Sequence, residues 1–268
     1  MNLTEQKFFY SGNITEITNH AAALIIAEAY RAVVDHGRFS LVLAGGNSPG
    51  ILYEKLAQGV TTALLEHYAL PVPGKSSGSK ETMHYLPSDT WLFQGDERCV
   101  PLDHPDSNYR MVKETLLRHS TITENHLFRM NAEDSDTERS ARAYEATLRT
   151  FFCSKRSQQP DNFPLFDLIL LGLGEDGHTA SLFRDNVEAL QEKKRWVIAV
   201  NAPKAKPPGM RLTLTLPVIN HARNVLFFTT GSNKAELAKK IFLEEKRDLP
   251  ASLVEPENGR LFWFAAQL

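Results

Sequence analysis

The chain has 268 residues, of which 42% are hydrophobic and 23% are charged, and this balance excludes a disordered or fibrous protein. Its 30 Lys and Arg residues stand against 32 Asp and Glu, a formal charge of −2, so binding driven mainly by nucleic-acid phosphates is not expected. The two cysteines, Cys99 and Cys153, are too few for a disulfide framework and fit a reducing compartment.

The N-terminal sequence MNLTEQKFFYSGN lacks the basic and apolar regions of a signal peptide. The next stretch, His20–Val34, is apolar with helical spacing, but Glu28 and Arg31 interrupt it. It therefore predicts an amphipathic helix, since a membrane helix needs about 18 or more apolar residues in succession. We expect a cytoplasmic protein without a membrane partner.

Strands and helices alternate along the rest of the chain. The strand-like runs are Phe39–Ala44, Thr90–Gln94, Asp167–Leu171, Trp196–Val200, Arg211–Leu216, Val225–Thr229 and Arg260–Phe264. Helices are expected at Asp134–Phe152, with Ser135 and Glu138 as a capping box, and at Lys234–Glu244. The Pro-, Gly- and Ser-rich segment Pro71–Ser79 predicts a surface loop.

This alternation predicts one α/β domain over residues 1–268. Its fold class is a doubly wound, mostly parallel sheet with helices on both faces, in a Rossmann-like arrangement. Ligands of such sheets bind beyond the carboxyl ends of the strands. Several predicted strands are followed, at their carboxyl ends, by Gly-rich, acidic or basic residues. The functional hypotheses concern these segments.

The first such segment follows the strand Phe39–Ala44 and reads GGNSPG. Its glycines permit backbone N–H groups of Gly45, Gly46 and Asn47 to point at an anion, beside a helix N-terminus and the hydroxyl of Ser48. The alternative is an ordinary tight turn in which Ser48 caps the helix.

The second segment follows Thr90–Gln94 and reads GDER. Asp96, Glu97 and Arg98 would place acid–base groups and an anion-binding cation at one strand end. The alternative is a surface cluster of ion pairs.

The third segment, Gly172–His178, follows the continuous apolar strand Asp167–Leu171 and fits G-x-G-x-x-G. A dinucleotide site would need an acidic residue near the end of the next strand, and that strand ends at Asn201. His178, just beyond a glycine turn, is instead a candidate acid–base residue, because imidazole titrates near neutral pH. The alternative is a histidine that merely starts a helix.

The fourth signal is basic. Arg211 opens a strand, and Lys234 lies where a helix begins, a place where the helix dipole favours an anion over a cation. A bound phosphate would explain that lysine, while the alternative is an ordinary solvated side chain. The other histidines show no paired spacing of metal ligands, so no metal is expected. Together the segments predict a site for a small phosphorylated metabolite.

Several motifs resemble those of the 6-phosphogluconolactonase family, which forms a wider group with glucosamine-6-phosphate isomerase/deaminase. They are LAGGNSPG (Leu43–Gly50), GDERCVP (Gly95–Pro101) with SN (107–108), FDLILLGLGEDGHTASLF (Phe166–Phe183), RLTLTLPVINHA (Arg211–Ala222), GSNKAE (Gly231–Glu236) and PASLV (Pro250–Val254). The resemblance implies that group's α/β fold and hydrolysis of 6-phosphoglucono-1,5-lactone, without a metal or an organic cofactor. The implied partner is the sugar-phosphate lactone, and the chain is expected to be a monomer or a small homo-oligomer.

The resemblance also assigns roles to residues. It makes His178 the acid–base residue, matches Arg98 to the arginine of the family's DER motif, and places the phosphate on Ser48, Arg211 and Lys234. Our mechanistic hypothesis adds that Asp176 or Glu97 orients His178 and that Arg98 or the backbone of Gly45 and Gly46 stabilises the oxyanion. Asp96 is a proton-transfer residue in the deaminase branch, and in a lactonase it would order Arg98.

Two departures from the family pattern stand out. Arg184 follows SLF where the family commonly has proline, and Ala44 replaces a serine before the glycines. The deaminase branch carries a glutamate shortly after DGH, whereas this chain reads DGHTASLFR. The lactonase is therefore favoured over the deaminase, and a non-catalytic sugar-phosphate sensor is the remaining alternative.

Overall fold

The computed structural model describes residues 6–74, 81–152 and 163–267. Residues 75–79 of the predicted surface loop, and Cys153, lie outside these ranges.

The strands, in chain order, are β1 (Lys7–Asn13), β2 (Phe39–Leu43), β3 (Val60–Thr61), β4 (Met83–His84), β5 (Thr90–Gln94), β6 (Asp96–Arg98), β7 (Leu127–Phe128), β8 (Leu168–Leu171), β9 (Val197–Ala202), β10 (Gly209–Leu214), β11 (Asn224–Thr230) and β12 (Arg260–Gln267). The α-helices are α1 (Ile14–His36), α2 (Asn47–Gln58), α3 (Thr62–His67), α4 (Asn108–Thr115), α5 (Thr137–Phe152), α6 (Val187–Gln191), α7 (Leu216–Asn220) and α8 (Ser232–Phe242).

A parallel sheet of seven strands forms the centre, in the order β1-β12-β11-β8-β2-β5-β7. From β2 the chain runs outward to β5 and β7, and from the neighbouring β8 it runs outward on the other side to β11 and β12. The connections thus reverse direction between β2 and β8, which creates a crevice at the carboxyl ends of these strands. The predicted doubly wound parallel sheet is confirmed.

Both faces of this sheet are covered. Leu168 and Leu170 of β8 belong to the core shared with α1 and α2, while Ile169 and Leu171 belong to the core shared with α5 and α8. Because a strand buried on both faces has no polar side, β8 reads as an unbroken apolar run.

Local sequence explains the ends of the longest helix. Asn13 precedes α1 and its side chain accepts a hydrogen bond from the backbone of Glu16, which satisfies one free amide of the first turn. Gly37 ends the helix with φ +84°, a left-handed conformation that favours glycine. The amphipathic helix predicted at His20–Val34 thus lies inside α1.

Three predicted features differ in detail. The helix α5 begins at Thr137 because Asp136, rather than Ser135, accepts the hydrogen bond from the backbone of Arg139. The strands predicted at Trp196–Val200 and Arg211–Leu216 lie outside the parallel sheet. They form β9 and β10, which pair antiparallel with each other and with β6 in a separate three-stranded sheet.

Candidate active site

Four neighbouring strands, β11, β8, β2 and β5, send their carboxyl ends to one edge of the sheet. The loops there surround a cavity of about 170 Å³ at the crevice between β2 and β8. Its lining is Ala44, Gly45, Gly46, Asn47, Ser48, Pro49, Asp96, Arg98, Gly172, Leu173, Gly174, His178, Ala180, Arg211 and Lys234. All the site residues predicted from sequence are in this lining except Asp176 and Glu97.

The glycine loop after β2 brings an uncapped helix end to the cavity. Gly46 is the N-cap of α2, has φ +95° and offers no side chain to the first turn. Gly45 is required for a different reason, since a Cβ there would lie 2.0 Å from the Oδ1 atom of Asn108. The free amides of α2 can therefore bind an anion in the cavity.

Ser48 lies inside α2 and is not its cap, so the alternative that it caps the helix is wrong. Its buried Oγ accepts a hydrogen bond from the backbone N–H of Thr230 at 3.2 Å and lies 2.8 Å from the Thr230 hydroxyl. This contact connects the glycine loop to the end of β11.

A second uncapped helix end reaches the same cavity. The helix α8 begins after Gly231, which has φ +104° and provides no side-chain cap. Lys234, in the first turn, lines the cavity and is half-buried, and it has no hydrogen bond or ion pair to any described residue. By contrast, α1 and α4 begin with side-chain caps from Asn13 and Ser107. The two helices that start at the cavity leave their amides for a ligand.

Two arginines lie side by side on the cavity wall. Arg98 of β6 is the direct cross-strand partner of Arg211 of β10, so both side chains share one face. The Arg98 Nη1 donates to the backbone oxygen of Asp106 at 2.6 Å, and the Arg211 Nη2 donates to that of Pro207 at 2.7 Å. The Nε atoms of both arginines are buried without a partner among the described residues.

Burial lowers the pKa of Arg211, and the carboxylate of Asp96 opposes that shift. Arg211 is only 3% exposed, so its charge has little solvent around it. A buried cation with an unpaired N–H donor is stabilised by an anion that accepts a hydrogen bond from it. The two arginines could therefore bind a phosphate or stabilise a developing oxyanion.

Asp96 is buried and lines the same cavity as the two arginines. Its Oδ2 accepts a hydrogen bond from the hydroxyl of Ser181 at 2.6 Å, and its Oδ1 accepts one from the Nδ2 of Asn108 at 3.2 Å. These hydrogen bonds go to Ser181 and Asn108, and the geometry gives no direct bond from Asp96 to Arg98 that would carry the predicted ordering of Arg98.

Glu97 is 3% exposed and is absent from the cavity lining. Its carboxylate accepts hydrogen bonds from a group of neighbours, namely the backbone N–H groups of Arg98, Asn108 and Tyr109 and the side chains of Gln94 and Ser107. Burial raises the pKa of Glu97, and the bonds from Asn108 and Tyr109 oppose that shift. Its predicted roles as a substrate contact or a partner of His178 have no support in this geometry; it holds β6 against the start of α4.

His178 is paired with Asp176. The Nδ1 of His178 lies 2.5 Å from the Oδ1 of Asp176, which also accepts the backbone N–H of His178 at 3.2 Å. This hydrogen bond lowers the pKa of Asp176 to about 2, so the carboxylate is ionised at neutral pH. An ionised carboxylate only accepts, so the proton is on Nδ1 and the lone pair of the neutral ring is on Nε2. Of the two carboxylates proposed to orient His178, Asp176 is the one in contact.

Sequence reasoning missed two buried side chains of the site. Asn108 and Ser181 both bond to Asp96, from positions 12 and 85 residues further along the chain. Asn108 was visible as part of an SN motif and Ser181 as part of SLF, but neither pattern predicts which group the side chain contacts.

The unusual Arg184 is placed away from the cavity. Its guanidinium is 66% exposed and pairs with Asp248 at 2.8 Å. The residue therefore adds no charge to the cavity lining, and an exposed pair of this kind contributes about 0–1 kcal/mol.

In the described part of the chain, no three His, Cys, Asp or Glu side chains are grouped so that they could hold a metal ion. Within residues 6–74, 81–152 and 163–267, no helix has the length and apolar character required to cross a membrane.

The fold and site together define an α/β enzyme with a His178–Asp176 pair at a crevice that is lined by two arginines, a lysine and two uncapped helix N-termini. Comparison with known proteins is more specific. The chain belongs to the family described as glucosamine-6-phosphate isomerases/6-phosphogluconolactonase, which matches residues 13–263.

Named relatives lie on the lactonase side of this family. The chain is 38% identical to 6-phosphogluconolactonase from Homo sapiens over 85% of its length and 78% of the relative's. It is 37% identical to 6-phosphogluconolactonase from Synechocystis sp. over 94% and 91% of the two chains. The solved structure of 6-phosphogluconolactonase from Trypanosoma cruzi superposes with a TM-score of 0.75 at 28% identity, covering 100% of this chain and 96% of the other.

Proposed function

We propose that this chain hydrolyses 6-phospho-D-glucono-1,5-lactone to 6-phospho-D-gluconate, the second step of the oxidative pentose phosphate pathway, with His178 as general base. The observation that carries the proposal is the His178–Asp176 pair beside a cavity that is also lined by Arg98, Arg211 and Lys234. The lactonase names of the relatives from Homo sapiens and Synechocystis sp. support the same substrate.

The chemistry needs one water and one proton acceptor. The Nε2 of His178 takes a proton from the water as its oxygen bonds to C1 of the lactone. The bond between C1 and the ring oxygen then breaks, and His178 returns the proton to that oxygen. A positioned base of this kind contributes roughly 10²–10⁴-fold in rate.

Negative charge develops on the carbonyl oxygen during the attack. Arg98 on one wall and the backbone N–H groups of Gly45 and Gly46 on the other are the donors available to stabilise it. The anionic carboxylate Asp176 stabilises the imidazolium that forms at the same moment.

The phosphate lies against Ser48, Arg211 and Lys234, with the N-termini of α2 and α8 adding their amides. Binding at this end fixes C1 near His178, so the remote charge supplies orientation as well as affinity.

A lactonase assay with the substrate generated in place tests the activity. Glucose 6-phosphate, its dehydrogenase and NADP produce the lactone near pH 6.5, and phosphogluconate dehydrogenase reports the product as additional NADPH. The chain should remove the lag before that second phase. An unchanged lag would exclude the lactonase; ammonia release from glucosamine 6-phosphate would then identify a deaminase, and binding without turnover a sensor.

Substitution of Lys234 should act on substrate binding. We expect Lys234→Gln to raise KM by about 10- to 100-fold with a smaller change in kcat, because a charge-assisted bond contributes about 1.5–3 kcal/mol. Initial rates over a range of lactone concentrations measure this. Lys239→Gln, on the exposed side of the same helix, is the control and should keep the KM of the wild type. An unchanged KM in the Lys234 variant would remove this lysine from the phosphate site.

Substitution of Asp176 should act on turnover. An asparagine keeps the size of the side chain but cannot hold the imidazolium by charge, and its amide permits the wrong tautomer of His178. We expect Asp176→Asn to lower kcat by about 10²-fold or more and to change KM little. Asp248→Asn, which removes an exposed carboxylate paired with Arg184, is the control. Equal kcat in both variants would contradict the orienting role of Asp176.

Asp176 should not contribute to the dependence of kcat on pH between pH 5 and 8. Since the pKa of Asp176 is about 2, this group stays ionised throughout the range from pH 5 to 8. The stability that the hydrogen bond from His178 to the ionised Asp176 contributes is therefore present at neutral pH and is lost only as the pH falls below the ordinary aspartate value towards 2. Loss of kcat between pH 8 and 5 in the wild type would thus not come from Asp176.

Cytoplasmic location and a monomeric or small homo-oligomeric state complete the proposal. The low number of cysteines fits a reducing compartment and supports the location. Cell fractionation and light scattering of the purified chain test them, and a large assembly or a secreted protein would contradict them.

A further inference from the structure

Gly174 lies directly beneath the His178–Asp176 pair. The loop closes on itself there, because the backbone N–H of Gly174 donates to the oxygen of His178 at 2.9 Å and its oxygen accepts from Gly177 at 3.0 Å. These bonds fix the Cα of Gly174 against the two side chains.

The space above this Cα is filled by the pair itself. A Cβ at position 174 would lie 2.1 Å from the Nδ1 and 2.2 Å from the Cε1 of His178, and 2.6 Å from the Oδ1 of Asp176. These are the atoms that form the hydrogen bond. The ring also contacts Phe183, with centroids 4.6 Å apart, which restricts its movement.

The backbone of Gly174 does not explain why glycine is present. Its φ lies outside the left-handed region, in contrast to Gly177 in the same loop, which has φ +79°. An alanine at 174 would therefore be compatible with the backbone conformation. The three atoms nearest to its Cβ would all belong to the side chains of His178 and Asp176, so the steric clash would be with these two side chains.

We propose that Gly174 is a positioning residue for the reaction: the absence of a side chain there allows the imidazole of His178 to lie in hydrogen-bond contact with Asp176. The expected effect on kcat rests on the proposed function. The packing of Gly174 against His178 and Asp176 does not depend on it. A methyl group at 174 displaces the imidazole ring from Asp176. The lone pair of Nε2 is then no longer directed at the water that attacks the lactone.

The kinetic test is Gly174→Ala. We expect kcat to fall by about 100-fold, the effect of a displacement of roughly 1 Å at a catalytic group, while KM stays within about twofold because the phosphate site is untouched. The loss should not add to that of Asp176→Asn, since both variants break the same pair. Gly37→Ala is the control: Gly37 ends α1 outside the cavity lining with φ +84°, so an alanine there should lower Tm through backbone strain but leave kcat unchanged.

The packing test needs no substrate. Gly174→Ala should lower Tm in the wild type but not in an Asp176→Ala/His178→Ala background, because the atoms that it would meet are gone. Normal kcat and Tm in Gly174→Ala, or the same fall of Tm in both backgrounds, would overturn the proposal. If the wild type failed to hydrolyse the lactone while the Tm values remained coupled, the proposed function would fall and the positioning of the pair by Gly174 would stand.

Discussion

His178→Ala is expected to lower kcat for the lactone by about 10²–10⁴-fold, the usual contribution of a positioned general base. The imidazole Nε2 is the free proton acceptor of the His178–Asp176 pair, and Asp176 with a pKa of about 2 is too weak a base to replace it. KM should change little, because the residues proposed to hold the phosphate lie on other loops. The side chain is 31% exposed, so its loss should leave the fold intact.

The measurement must separate turnover from the spontaneous opening of the lactone. The coupled assay near pH 6.5, with the uncatalysed rate subtracted, gives kcat for the wild type, His178→Ala and a control. His119→Ala is a suitable control, since His119 is an exposed histidine outside the cavity. A His178→Ala protein with nearly normal kcat would show that another group activates the water.

Much of the candidate site was predictable because of a general property of parallel sheets. Gly45, Arg98, His178 and Lys234 follow strands with recognisable apolar runs, and parallel strands bring their carboxyl ends to one edge. Chain order alone therefore predicted that these residues meet, and the sequence resemblance to the family, now confirmed, agrees. Their individual roles stay predictions until the variants are measured.

Contacts between distant segments were not predictable. Arg98 lies beside Arg211 because of the antiparallel register of β6 and β10, and no local sequence pattern predicts that register. The bond from Ser181 to Asp96 joins residues 85 positions apart. Sequence spacing also gave Glu97 and Asp176 equal standing as partners of His178, since it contains no information on which way a side chain points.

Substitution of Glu97 should have a large effect on the stability of the fold rather than on turnover. We expect Glu97→Ala to lower the free energy of unfolding by about 2–4 kcal/mol, the range found when a buried hydrogen-bond network is broken. The carboxylate is 3% exposed, and all its partners are donors, among them the backbone N–H groups of Asn108 and Tyr109 at the start of α4. Removal of the carboxylate that these donors share leaves them facing a small buried space.

Urea unfolding of the wild type and three variants measures this effect. Glu54→Ala, which removes an exposed glutamate from α2, should leave the unfolding curve in place. Glu97→Gln separates charge from size: its amide nitrogen must face a donor wherever it turns, so we expect a loss close to that of alanine even though the volume is kept. A Glu97→Gln protein as stable as the wild type would mean that solvent or movement satisfies these donors. Because Glu97 fixes the segment that carries Asp96 and Arg98, its loss should also raise KM at temperatures where the variant is still folded.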